Sequence, residues 1–261
     1  MRRLKLAAPL ILAGLAAALL ALVVAQLGED GEPRESVALA QPPAPRAAPA
    51  EESGQSESEY RCRPFEVEVP ASDGCARGEG YPACRWQLPD PPEGAPYVVW
   101  RNTTPEHRWA RPGLVSLVLA GAADYVRRWP GERLVVGDLD APGPRHQTHD
   151  RGVDVDLYLV DAMMTRNEGR GRYVNNYEHR SRSEVRRLRE RVMDLARILA
   201  VCAGGEIRIY YNDPEIVRPF REWFEARGLR SSVGPPMRPH NRLHEFHFHL
   251  TVADELAPLE R

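Results

Sequence analysis

The chain has 261 residues, 43% of them hydrophobic and 28% charged, and carries a formal net charge of -2. That is enough apolar material for one globular domain of ordinary size together with tails at its ends. The near balance of charge speaks against a nucleic-acid binder and gives no electrostatic pull toward an acidic membrane surface. Lys5 is the single lysine among 35 basic residues. Acidic residues are interspersed with the arginines, so the excess reads as compositional bias rather than a binding face.

Residues 1–28 stand apart. Arg2, Arg3 and Lys5 form a positive head, and residues 6–27 are an apolar run without charge. This pattern predicts export. Val23 and Ala25 suit cleavage before Gln26, while a run of roughly 20 apolar residues also suffices for an uncleaved membrane tether. Residues 29–59 follow as a linker rich in Pro, Ala, Glu and Ser, with too few large apolar side chains to offset the entropy of ordering. The folded domain is expected over residues 60–261. Its cysteines, Cys62, Cys75, Cys84 and Cys202, are even in number and not spaced for zinc. In an exported chain they predict disulfides with three possible connectivities: at least one bridge is expected among the first three, and a Cys84 to Cys202 bridge could then tie the domain's start to its helical middle.

Within the domain the spacing predicts a helix over residues 113–128, where Leu114, Leu117, Val118, Gly121 and Tyr125 recur at helical intervals. Pro130 and Gly131 end it. A short strand is expected over 133–137. Residues 153–160 alternate, with Val153, Val155, Leu157 and Leu159 on one face and Asp154, Asp156 and Tyr158 on the other. A second helix is expected over 183–201, a strand over 206–211, and a third helix opened by Asp213 and Pro214. The last strand is expected over 245–252. This mixture predicts an α+β domain with an antiparallel sheet core flanked by helices.

Six of the eight histidines fall in two clusters: His146 and His149, then His240, His244, His247 and His249. Asp154 and Asp156 follow the first cluster on one strand face. His247 and His249, two apart, share a face of the last strand. Bringing these strands together would gather imidazoles and a carboxylate around one point, the donor set that zinc takes at about 2 Å. A lone histidine is ordinarily a surface or satisfied core residue, and His240 is read that way. Two clusters together are not.

The segment His146-Gln-Thr-His149-Asp-Arg-Gly152-Val-Asp154-Val-Asp156 resembles the zinc motif of penicillin-insensitive murein endopeptidases. His244-Glu-Phe-His247-Phe-His249 resembles that family's HxxHxH motif. Both belong to the wider group of lysostaphin, D-Ala-D-Ala metallopeptidases and hedgehog amino-terminal domains, and the likeness spans roughly residues 110–252. It implies a hedgehog/DD-peptidase-like fold, Zn2+ held by His149, Asp156 and His249, His247 as the catalytic histidine, and His146 and His244 as further active-site histidines. It also implies action on peptidoglycan peptide cross-links in the periplasm, at the D-alanyl to diaminopimelate bond. Thr148 and Asp150 depart from the family's usual Ser and Gln, and the loop between Asp138 and His146 is short; these bear on the rim of the site. The reaction implied is hydrolysis, in which a base takes the proton of water and an acid serves the leaving amine. His247 is the expected base, with Glu245 on the same predicted face as the runner-up. D-Ala-D-Ala dipeptidases carry Glu where this chain has Phe246, which argues against that activity, and no SxxK motif supports a serine mechanism. Two alternatives stay open: a DD- or LD-carboxypeptidase acting on wall peptides, and a non-catalytic zinc domain that binds wall peptides or a protein.

Overall fold

A computed structural model describes Tyr60, Cys62 and residues 65–141, 148–163, 165–167 and 172–259 of the chain, with backbone alone at 165–167 and 172–174. The expected export segment, the linker and His146 lie outside the described residues. Among those described, no helix is long and apolar enough to cross a membrane.

The central sheet has six strands: β2 (Tyr97–Val99), β4 (Leu134–Val136), β5 (Asp154–Tyr158), β8 (Ile207–Tyr210), β9 (Met237–Arg238) and β10 (Phe248–Val252). Their order is β2-β4-β5-β10-β8-β9. The expectation of an antiparallel sheet holds only for its centre. β4, β5, β10 and β8 are antiparallel neighbours, but β2 runs parallel to β4 and β9 parallel to β8. The helices α2 (Pro112–Arg128) and α4 (Pro214–Ala226) make these outer pairs parallel, because each carries the chain back before it rejoins the sheet. Two further ribbons, β1 (Trp86–Gln87) with β3 (Trp109–Ala110) and β6 (Thr165–Asn167) with β7 (Arg172–Val174), lie outside this sheet. A four-residue helix, α1 (Asp73–Ala76), and a 21-residue helix, α3 (Arg182–Cys202), complete the set.

Alternation along the central strands separates two faces. Val155, Leu157, Ile207, Ile209, Phe248 and Leu250 are fully buried and join the core built with the helices. Asp154, Asp156, Arg208, His249 and Thr251 point the other way. α2 is buried on nearly every side, beyond the stripe its sequence suggests, because it lies beneath β2 and β4 and also against α3. Gly121 permits the close approach of the two helices: a Cβ there would sit 3.0 Å from Leu199 Cδ2. Ser181 and Glu184 form a capping box at the start of α3. Asp213 caps α4 as expected, accepting a hydrogen bond from the Glu215 amide. The last strand starts three residues later than expected, since residues Arg242–Glu245 coil into a 3-10 turn capped by the Asn241 side chain.

The cysteines pair as Cys75–Cys84 and Cys62–Cys202. One bridge among the first three is therefore formed, but Cys84 does not reach Cys202. Its partner, Cys75 in α1, lies nine residues away, leaving Cys62 to bind the end of α3. Beside that bridge Asp194 accepts hydrogen bonds from Tyr60, Arg128 and Trp129, so the start of the domain is held both covalently and by charge. Replacing Cys62 and Cys202 together by serine opens a loop of 140 residues and is expected to cost about 2–5 kcal/mol. Urea unfolding followed by circular dichroism measures it. An unchanged midpoint would mean that the bridge contributes nothing.

Candidate metal centre

His149, Asp156 and His249 converge on the polar face of the sheet, each offering one ligand atom within 4.8 Å of the others. Their relative exposures are 0%, 5% and 6%, so all three side chains are buried. Asp156 and His249 are directly opposed across β5 and β10. His149 comes from the loop between β4 and β5. That loop is pinned by backbone bonds from Ala141 to His149 (2.7 Å) and from Arg111 to Gly152 (2.9 Å). Gly152 has a φ of +64°, and a Cβ there would lie 2.7 Å from the Tyr81 ring, so only glycine fits. Gly137, just after β4, has a similar role beneath Asp156: its amide donates to the Asp156 carbonyl (2.7 Å), and a Cβ would stand 3.1 Å from the Asp156 Cβ.

Tautomers decide what this group can do. His149 Nδ1 donates to the Leu139 carbonyl (2.9 Å), which leaves Nε2 bare and facing inward. His249 Nε2 donates to Asp154 Oδ1 (3.1 Å), which leaves Nδ1 bare and facing inward. The two bare nitrogens are 3.2 Å apart, and Asp156 Oδ1 is 3.2 Å from one and 3.5 Å from the other. Three lone pairs at such distances repel unless a cation lies among them. A proton can serve: burial works against charge on His249, yet hydrogen bonds to Asp154 and Asp156 outweigh it and raise its pKa to about 9. A divalent cation fits better. Two imidazoles and one carboxylate, with outer acceptors fixing both rings, are the ligand chemistry of catalytic zinc sites. Burial alone would raise the Asp156 carboxyl, but His247 beside it, and the hydrogen bonds that His149, His247 and His249 make to it when protonated, hold it well below the usual range.

His247 stands differently. It precedes β10 rather than lying within it, with Nε2 3.4 Å from Asp156 Oδ1. Its Nδ1 is buried without a hydrogen-bond partner, so no outer acceptor fixes its tautomer as for the other two rings. Its ring is flanked by Tyr158, Phe246 and His244 at centroid distances of 5.2, 4.6 and 5.1 Å. His244, from the 3-10 turn, is buried, and its pKa falls to about 3 through burial and then through the neighbouring imidazoles. Glu245 lies in that same turn rather than along the strand, so the expected shared face with His247 does not form.

Three residues belong to the site that sequence reasoning did not place there. Asp154 orients His249. Tyr210, opposite His249 on β8, stacks on His240 at 4.4 Å. His240, read as an ordinary surface histidine, brings Nδ1 to 3.3 Å from His244 Nδ1 and so extends the line of imidazoles outward. Alternation did put Asp154 on the face of Asp156, and the motif segment includes it, but neither assigns it a role.

No protein-family model matches the chain, and a search of curated proteins finds no match either.

Proposed function

We propose that the chain is a zinc metallopeptidase of the hedgehog/DD-peptidase type that hydrolyses peptide cross-links of peptidoglycan, at the D-alanyl to diaminopimelate bond. The observation that carries this reading is the inward aim of the bare nitrogens of His149 and His249 beside Asp156 Oδ1, with a third imidazole, His247, held next to the group but outside the fixed-tautomer set. The spacing of the two histidine motifs supports the choice of substrate. A zinc ion held by His149, Asp156 and His249 would supply Lewis acidity toward the scissile carbonyl and an activated water.

The chain's own residues have the remaining tasks. His247 takes the proton of the attacking water and returns it to the leaving amine. The Asp156 carboxylate stabilises the imidazolium that forms, because the two groups are already in contact. His244 stays neutral at working pH, so it adds no positive charge beside His247. The two disulfides suit an oxidising compartment, and we place the protein in the periplasm.

Digestion of purified murein, with product peptides identified by mass, tests the reading. Cross-linked peptide dimers should convert to monomers. A chelator should stop the conversion and a β-lactam should not, since no serine nucleophile takes part. Release of terminal D-alanine alone would replace the endopeptidase by a carboxypeptidase. A fully zinc-loaded protein that bound murein without releasing products would make the domain a binding module.

A further inference from the structure

We propose that Asp154, backed by Thr251 and Arg208, is the positioning residue that sets the tautomer of His249 and thereby its capacity to bind a divalent cation. This rests on the assignment of His149, Asp156 and His249 as the ligand set. The register places Thr251 of β10 opposite both Asp154 of β5 and Arg208 of β8, so the three form one row across the sheet. The adjacent row is Asp156, His249 and Tyr210. Asp154 thus reaches His249 along the diagonal, a separation that long or aromatic side chains span.

The direction of each hydrogen bond in this row is forced. Arg208 has donors only, so its Nη2 donates to Thr251 Oγ1 at 3.1 Å. The hydroxyl proton of Thr251 is then committed to Asp154 Oδ1 at 2.7 Å. The same oxygen is 3.1 Å from His249 Nε2, and a carboxylate oxygen can only accept. The His249 N–H must therefore lie on Nε2. Arg208 is itself held, donating to the Val233 carbonyl at 3.3 Å and lying over the Tyr210 ring at 5.0 Å.

Without Asp154 the balance changes. His249 Nδ1 is 3.2 Å from Asp156 Oδ1, which would accept a proton there equally well. The ring would then settle with its N–H on Nδ1 and its bare nitrogen facing away from His149. In that tautomer His249 cannot ligate, and the Asp156 oxygen is spent on the N–H. Asp154 and Asp156 compete for one proton at the two ends of one ring, and the Thr251–Arg208 backing holds Asp154 where it wins. Asp154 is 3% exposed, so water does not substitute for it.

Zinc affinity measured by chelator competition, together with 15N NMR of the histidine rings, tests this without any assay of activity. In Asp154→Ala the affinity should fall 10–100-fold, the usual worth of an outer hydrogen-bond partner. The His249 N–H should no longer be confined to Nε2. Asp154→Asn, which keeps an acceptor oxygen, should restore the Nε2 proton and part of the affinity. Thr251→Val should weaken binding in the same direction but less. A folded Asp154→Ala that binds zinc as tightly as the wild type, or that keeps the His249 proton on Nε2, overturns the inference while leaving the ligand set intact. If Asp154→Ala fails to fold, unchanged affinity in Thr251→Val and Asp154→Asn overturns it instead. A wild-type protein that takes up no zinc overturns the ligand set and this inference with it.

Discussion

Purified wild-type protein is expected to carry close to one zinc per chain, and alanine at His149, Asp156 or His249 is expected to remove it. The loss should exceed the 10–100-fold that an outer partner costs, because each variant takes away one of only three protein donors. The consequence extends to stability. An ion that binds the folded state alone stabilises it by about 4 kcal/mol at a thousandfold over its dissociation constant. Wild type should therefore melt higher with zinc than with a chelator, and the three variants should not respond. Asp156→Ala should be the most damaging, since its carboxylate is the one negative charge that His149, His247 and His249 all face. Metal analysis and paired melting curves measure both effects. Full zinc occupancy in all three variants would sink the assignment.

His247→Ala is expected to behave differently: zinc retained, fold retained, and cross-link cleavage slowed by roughly 10²–10⁴, the usual worth of a positioned acid or base. The contrast rests on the outer partners. Leu139 and Asp154 aim His149 and His249 inward, while His247 Nδ1 has no such partner. A ring not locked in one tautomer suits proton transfer better than ligation. Glu245→Gln should change the rate little, because Glu245 sits in the 3-10 turn and not on the strand that carries His249. Zinc content and initial rate for both variants decide between them. If His247→Ala lost its zinc, His247 would be a ligand; if it kept full rate while Glu245→Gln was inactive, the base would be Glu245.

The features legible in the sequence were those that depend on local period or local chemistry. The helix expected over 113–128 is observed from Pro112 to Arg128, and the Asp213–Pro214 start of α4 is where its cap and proline suggest. The pairing of Asp156 with His249 was legible too, because two alternating strands with donors on one face have little else to do with them. Missing were the two-residue strands such as Met237–Arg238, which are too short to show a period. The 3-10 turn at Arg242–Glu245 was also missed, because a single Asn cap outweighs the apparent alternation of the residues after it. The partner of Cys202 is not legible in the sequence, since nothing local distinguishes Cys62 from Cys84. Asp154, Tyr210 and His240 join the site through strand register, and register is a property of pairs of segments rather than of either one.

The last strand in chain order, β10, lies between β5 and β8 rather than at an edge of the sheet. A chain from which β10 is missing has a gap through the middle of its sheet, and two rows of backbone donors and acceptors that should have been covered. It also lacks His247 and His249 together. Without that strand the proposed ligand set is incomplete, so no partial product of synthesis could assemble the metal centre before the strand has been made and has threaded home. Closure links segments about 90 residues apart, and such long-range pairing is slow and cooperative. Chemical competence and completion of the fold should therefore arrive in a single step.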